Sequence, residues 1–323
     1  MIELSPLQVA VGVIKNAQDQ VLVSLRHLHA HQGGLWEFPG GKVAAKETVN
    51  QALVRELREE LGINVEAATP LITIQHAYAD LSVQLNVMRI ERYSGQPQGL
   101  EGQEIRWVAS NDLEKLRFPE ANAPIIKAIQ LPDYYAILDS VPLGSQVEPA
   151  PSAIVAKLLI QLQQLLNQDI KFIQARLKSL STTQIQQFLQ QALPLCATFN
   201  ARLLLNSTLP GAWADVEDVH LNSDALMHLQ QRPAHLRWLA ASCHNQVQLQ
   251  HAQAIGVDFA VLAPVQKTLT HPDAVPLGWE QFAALVADIK LPVYALGGLQ
   301  KADFAQAKLC GAQGIAGIRL FLE

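Results

Sequence analysis

Residues 41–63 read GKVAAKETVNQALVRELREELGI. Five residues separate Gly41 from Glu47, and seven more lead to Arg55 and Glu56; Glu59, Glu60 and Gly62 follow. Between residues 51 and 61 helix breakers are few, and Ala52, Leu53, Leu57 and Leu61 recur at helical spacing. On such a helix Glu56, Glu59 and Glu60 are related by i, i+3 and i+4 and share one face. Two readings are open. The face is a solvated acidic surface, as charge runs usually are, or it gathers carboxylates for a divalent cation. Mg²⁺ favours carboxylate oxygen, keeps several waters and bridges to phosphate, and it helps to generate hydroxide from water. The Pro39-Gly40-Gly41 turn lets backbone approach a metal or phosphate closely. Gly62 suits a helix C-cap, and Glu47 and Arg55 suit partners that orient the carboxylates.

The spacing G-x5-E-x7-R-E-U-x-E-E-x-G-U, with U aliphatic, is met at every position. Seven fixed identities, each used at roughly 5–7%, coincide by chance about once in 10⁸–10⁹ registers. The stretch therefore resembles the signature of Nudix hydrolases, which cleave nucleoside diphosphates linked to another group. Within that family the resemblance is to the MutT type, the 8-oxo-dGTP diphosphatases. It rests on AVGVIKN (10–16), LWEFPGGKV (35–43), EGQEIRWV (101–108) and FPEANAPII (118–126) as well. The resemblance implies Mg²⁺, with Mn²⁺ as its substitute, on Glu56, Glu59 and Glu60, assisted by a carbonyl of Gly40 or Gly41. Glu101 matches a further carboxylate, ligand or base; its plain alternative is an ordinary loop glutamate. Arg26, His31, Phe38 and Asp80 match substrate-contacting positions, although a lone loop histidine is often incidental. Asn122 matches the residue that reads the purine, because an amide offers both a donor and an acceptor; on sequence alone it equally suits a helix N-cap. Leu81 replaces a basic residue, and Ala44-Ala45-Lys46 fill variable positions. The implied reaction converts 8-oxo-dGTP to the monophosphate and pyrophosphate, which cleanses the nucleotide pool. A different nucleotide, or a thiamine-related diphosphate, is the alternative substrate.

The elements that must position these groups follow from periodicity. Strand signals occur at 8–14, 21–25, 71–77, 83–89 and 105–108, with the motif helix among them and a second helical stretch at 122–129. Together with the resemblance, this predicts an α/β/α sandwich over residues 1–131.

Over residues 132–323, eight short apolar strand signals (134–138, 171–177, 202–206, 218–222, 237–242, 258–265, 292–298 and 314–320) alternate with helical stretches. This pattern predicts a compact (β/α)₈ barrel with its site at the C-terminal strand ends. Those ends resemble thiamine-phosphate synthase and its TenI-like relatives, through IQARLKS (173–179), LLLN (203–206), VHLNSDAL (219–226), SCHN (242–245), LAPVQKTLTH (262–271) and YALGGL (294–299). The resemblance implies phosphate contacts at Thr268, Thr270, Gly297 and Gly298, a polar strand end at Gln174, Arg176 and Lys178, and a thiamine-related phosphate as ligand. Departures accompany it. Ser207 stands where the family has a metal aspartate, and Ala225 occupies the second such position, beside Asp224. His271 replaces a lysine, and Pro264 replaces the tautomerase histidine. A synthase, a different barrel reaction, a phosphate-ligand sensor and a structural partner all remain open. His220 and His244 are candidates for catalysis or simply hydrogen-bonded strand-end histidines.

Bulk properties narrow the classes. Apolar residues make up 49% of the 323, charged residues 16%, and the net charge is −5. Large cores are expected and disorder is not. Acidic residues outnumber basic ones in both halves, which argues against stable nucleic-acid binding. Cys196, Cys243 and Cys310 fit neither a zinc pattern nor a disulfide framework, so free thiols and a reducing, cytoplasmic setting are expected. No signal-peptide pattern opens the sequence, no apolar run reaches membrane-helix length, and no coiled-coil pattern sets an oligomeric state.

Overall fold

The computed structural model describes residues 6–79, 81–140, 151–208, 216–268 and 273–321. The chain divides into two compact units, Met1–Gln130 and Leu131–Glu323.

The first unit contains β1 (Leu7–Ile14), β2 (Gln20–Leu25), β3 (Trp36–Glu37), β4 (Gly40–Lys42), α1 (Val49–Leu61), β5 (Asn64–Ala77), β6 (Ser82–Ser94), β7 (Ile105–Ala109) and α2 (Ala123–Gln130). One sheet has the order β4-β1-β6-β5 and the other β3-β2-β7. β1 runs parallel to β6 and antiparallel to β4. α1 buries Ala52, Leu53, Leu57 and Leu61, the row read from the sequence, against Ala10, Ile14 and Leu22. A Thr48–Gln51 capping box starts this helix, and Gly62, at φ 69°, closes it. The sequence signal for β5 began only at residue 71 because Pro70 interrupts it. β5 lies at the sheet edge, where a proline is tolerated, and its register shifts between Pro70 and Ile72. β3 and β4 were not expected as strands; at two and three residues they are too short to show a period.

The second unit contains β8 (Tyr134–Asp139), α3 (Pro151–Asn167), β9 (Phe172–Arg176), α4 (Thr182–Thr198), β10 (Arg202–Asn206), β11 (Asp218–Leu221), α5 (Ser223–His228), β12 (Trp238–Cys243), α6 (Gln246–Ala254), β13 (Phe259–Leu262), α7 (Gly278–Val286), β14 (Val293–Leu296), α8 (Phe304–Leu309) and β15 (Gly314–Gly317). β8 to β15 close into one barrel, and every neighbouring pair is parallel. The barrel read from the alternating pattern is the barrel found.

Alternation of side chains along each strand assigns the barrel's interior. Ala136, Leu138, Ile173, Ala175, Leu203 and Leu205 pack outward with α3 and α4. Tyr135, Phe172, Leu204, Trp238, Phe259 and Tyr294 point inward and form a separate core cluster. Tyr135 and Phe259 meet edge to face with ring centroids 5.1 Å apart, within the roughly 4.5–7 Å range of such pairs. Cys196 and Cys243 are buried and free, and burial raises their thiols to about 11 and about 12. Among the described residues, no helix is long and apolar enough to cross a membrane.

Candidate functional site

In the first unit one guanidinium organises three carboxylates. Arg55 donates from Nε and Nη2 to the two oxygens of Glu47, each at 2.9 Å. Its Nη1 reaches Glu56 Oε1 at 2.7 Å and Glu59 Oε2 at 3.1 Å. Nη2 also donates to the Lys42 carbonyl at 3.1 Å, which ties α1 to β4. Glu47 is held below the usual carboxylate range, first by its hydrogen bond from Arg55 and then by the Ala44 amide. This is the orienting arrangement that the spacing of Glu47 and Arg55 suggests.

Glu60 lies on the other side of that group. Gly40 N–H donates to Glu60 Oε2 at 3.1 Å. Burial is the largest influence on its carboxyl, and Glu37, Glu101 and Glu56 add like charge, so its pKa rises to about 8. Glu101 is exposed, but its loop is pinned to the end of α1: Leu100 N–H and Gln103 Nε2 both donate to the Glu60 carbonyl, at 2.9 and 3.1 Å. Glu59 is half exposed and turns toward Arg55 instead. Glu56, Glu60 and Glu101 thus converge electrostatically, with Glu59 outside them.

The glycines explain the close approach. A Cβ on Gly41 would fall 2.2 Å from the carboxyl carbon of Glu56, and one on Gly40, at φ 144°, would fall 2.1 Å from the Ala10 carbonyl oxygen. No group of three His, Cys, Asp or Glu forms a ready-made metal set among the described residues, since Glu56 and Glu59 face Arg55. The donor set nevertheless fits a divalent cation. It is oxygen-rich and partly buried, and burial with the like charge of Glu37, Glu101 and Glu56 raises its central carboxyl, a cost that a bound cation would offset.

Glu37 belongs to the same group and was not singled out in the sequence. It pairs with Arg26, yet burial outweighs that cation and raises its carboxyl. The available signal was an acidic side chain inside the apolar run Leu35–Phe38, where burial makes a charge expensive unless it is paired. Arg26 Nε donates to the His31 carbonyl at 2.9 Å, so Arg26 joins His31 to Glu37. The His31 ring meets Tyr78 edge-on with centroids 5.0 Å apart. Phe38, 3% exposed, stacks on Phe118 at 5.2 Å. Asn122 is 8% exposed, and its carboxamide makes no hydrogen bond to a described residue. It does not cap α2, which removes the N-cap reading. Asp80 lies outside the described residues.

In the second unit a cavity of about 1150 Å³ opens at the C-terminal strand ends. Thr268, Gly297, Gly298, Gln174, Arg176 and Lys178 all line it; Thr270 and His271 lie outside the described residues. Gly297 and Gly298 have φ of 106° and 70°, and a Cβ on Gly298 would fall 2.3 Å from the Lys267 carbonyl oxygen. His220 is buried between Tyr135 OH, 2.9 Å from Nδ1, and Ser242 Oγ, 2.8 Å from Nε2. Burial lowers its pKa to about 3, so the ring is neutral. His244 also lines the cavity and bonds to the Ala263 carbonyl at 2.8 Å.

The molecule thus joins a carboxylate-lined site, of the kind that handles phosphoanhydrides with a metal, to a parallel barrel with its own cavity. Comparison with known proteins agrees with both halves. The family described as NUDIX domain matches residues 10–128, and the family described as thiamine monophosphate synthase matches residues 148–321. The chain belongs to both: its N-terminal part is a MutT-like Nudix domain and its C-terminal part a thiamine-phosphate synthase/TenI domain. The first part is 36% identical to an 8-oxo-dGTP diphosphatase of Escherichia coli, across 39% of this chain and 98% of that protein. It is 32% identical to a CTP pyrophosphohydrolase of the same organism, across 36% and 87%. The second part is 33% identical to a thiamine-phosphate synthase of Herpetosiphon aurantiacus, across 58% and 88%.

Proposed function

We propose that the Nudix domain hydrolyses 8-oxo-dGTP to 8-oxo-dGMP and pyrophosphate, with Mg²⁺ as the metal and Mn²⁺ as its substitute, and so protects against mutation. Asn122 is the observation that carries this reading over other nucleotides: a nearly buried carboxamide without a described protein partner. Oxidation at C8 converts guanine N7 from an acceptor to an N–H donor. An amide oxygen set for that donor is left unpaired by normal guanine, and mismatches of this kind discriminate by as much as roughly 10⁴–10⁵. Phe38 supports the base by packing, and Arg26 and His31 face the rest of the nucleotide.

Glu56, Glu60 and, on turning away from Arg55, Glu59 would hold the cation in this proposal, assisted by a Gly40 or Gly41 carbonyl. When bound it neutralises phosphate charge and makes water more acidic. Arg55 and Glu47 keep the carboxylates in place. Water attacks the β-phosphorus, the bond to the α-phosphate oxygen breaks, and Glu101 takes the proton of the water toward solvent.

The test is pyrophosphate release from 8-oxo-dGTP, dGTP and CTP side by side with Mg²⁺. A strong preference for 8-oxo-dGTP, narrowed in Asn122→Ala and with all turnover lost in Glu56→Gln, is expected. Equal cleavage of the three, or faster cleavage of CTP, would overturn the substrate assignment and leave the Nudix chemistry in place.

A further inference from the structure

The barrel cavity differs from a metal-pyrophosphate site in the sign of its lining. Among the described residues that line it there is no aspartate and no glutamate, whereas Arg176, Lys178, Lys267, Lys301 and Arg319 all contribute. Arg176 is paired with Asp139, and Lys301 stands over the Phe321 ring at 5.6 Å. Lys178, Lys267 and Arg319 have no carboxylate partner among the described residues. Mg²⁺ is usually held by one or two carboxylates; the described lining offers none, and its positive charge would repel the ion.

The two positions expected to hold metal carboxylates have taken other work. Ser207 Oγ accepts from the Asn222 amide at 2.9 Å. Asn206 Oδ1 accepts from Thr208 N and Oγ1 at 3.1 and 2.7 Å. Asp224, beside Ala225, is exposed, pairs with His228 and does not line the cavity. The residues present therefore do not fit a divalent cation, and no step through one can be derived.

They fit an anion attached to a ring. The cations stand at the strand-end loops and suit phosphate oxygens. Deeper in, Gln174 is 3% exposed, lines the cavity, and makes no side-chain hydrogen bond to a described residue. A buried amide of this kind is a place for a ligand edge carrying both a donor and an acceptor. Ile137, Val261 and Leu296 supply apolar walls for the faces of such a ring. The Tyr135–His220–Ser242 chain fixes the Ser242 hydroxyl on the cavity lining.

We propose that the barrel cavity is a metal-independent receptor for a small ring-bearing organic phosphate, and that it does not join such a phosphate to a pyrophosphate substrate. The proposal does not depend on the nucleotide specificity of the Nudix domain.

Calorimetric titration of the full chain in excess EDTA tests it, with thiamine monophosphate as organic probe and inorganic phosphate as anion control. Binding of the organic probe without metal is expected, at least tenfold tighter than that of inorganic phosphate. Lys267→Ala combined with Arg319→Ala, both at exposed positions, should weaken both probes at least tenfold. Gln174→Leu should weaken only the organic one. Nudix turnover of these variants should match the parent. Three results would each overturn the proposal: no binding of either probe in EDTA, equal affinity for the two, or binding that appears only with Mg²⁺. Formation of thiamine phosphate from the pyrimidine pyrophosphate and thiazole phosphate would do so as well.

Discussion

Glu60 offers a way to test the carboxylate site without any substrate. Its pKa in the folded chain is raised from 4.5 to about 8, chiefly by burial and then by neighbouring carboxylates. The folded state therefore holds a proton that the unfolded state has released, and stability falls as pH rises from about 4.5 through about 8. At pH 7 the full shift corresponds to about 3 kcal/mol against folding. Glu60 remains partly open to solvent, and screening reduces the expected effect to roughly 1–2 kcal/mol. Glu60→Gln removes the charge and keeps an oxygen for the Gly40 amide. In EDTA at pH 8, the variant should protect the amides of α1 from hydrogen exchange roughly five- to thirty-fold better than the parent. The two should converge below pH 5. Comparing them at one pH cancels the intrinsic exchange rate. Added Mg²⁺ should raise protection in the parent and leave the variant nearly unchanged. Weaker protection in Glu60→Gln at pH 8, or a difference that does not vary with pH, would refute the idea that an uncompensated carboxylate sits at this point.

Two further outcomes follow from single contacts. Arg55→Lys cannot reproduce the fork that holds Glu47, Glu56 and Glu59 together, so a Mg²⁺ titration of turnover should show a roughly 10–100-fold loss in metal affinity or activity. Tyr135→Phe strips His220 Nδ1 of its partner inside the barrel; exchange of the β11 and β12 amides should report a loss of about 1–3 kcal/mol.

Much of the fold was legible because it rests on period. The helical row Ala52, Leu53, Leu57 and Leu61 and the eight short apolar barrel strands are local patterns, and the structure keeps them. β3 and β4 were not, since two or three residues carry no period, and their pairing with β2 and β1 is set by chain segments distant in sequence. In the site, the spacing of Glu47, Arg55, Glu56 and Glu60 located the cluster. It did not reveal that Arg55 draws Glu59 outward, or that Glu37 comes in from β3. Both depend on burial and on contacts across elements. The sign of the barrel cavity was equally hidden, because Lys267, Lys301 and Arg319 lie in separate segments of the chain and only the closed barrel puts them around one opening.

Alternation along the barrel strands separates two roles within single peptides. On β9, Phe172 belongs to the aromatic plug, and Gln174, two residues on, faces the ligand space; on β12, Trp238 and Ser242 divide the same way. Substitution at the upper inward positions leaves the plug untouched, so a barrel of this construction can lose one chemistry and acquire another while its scaffold stays under the same constraint.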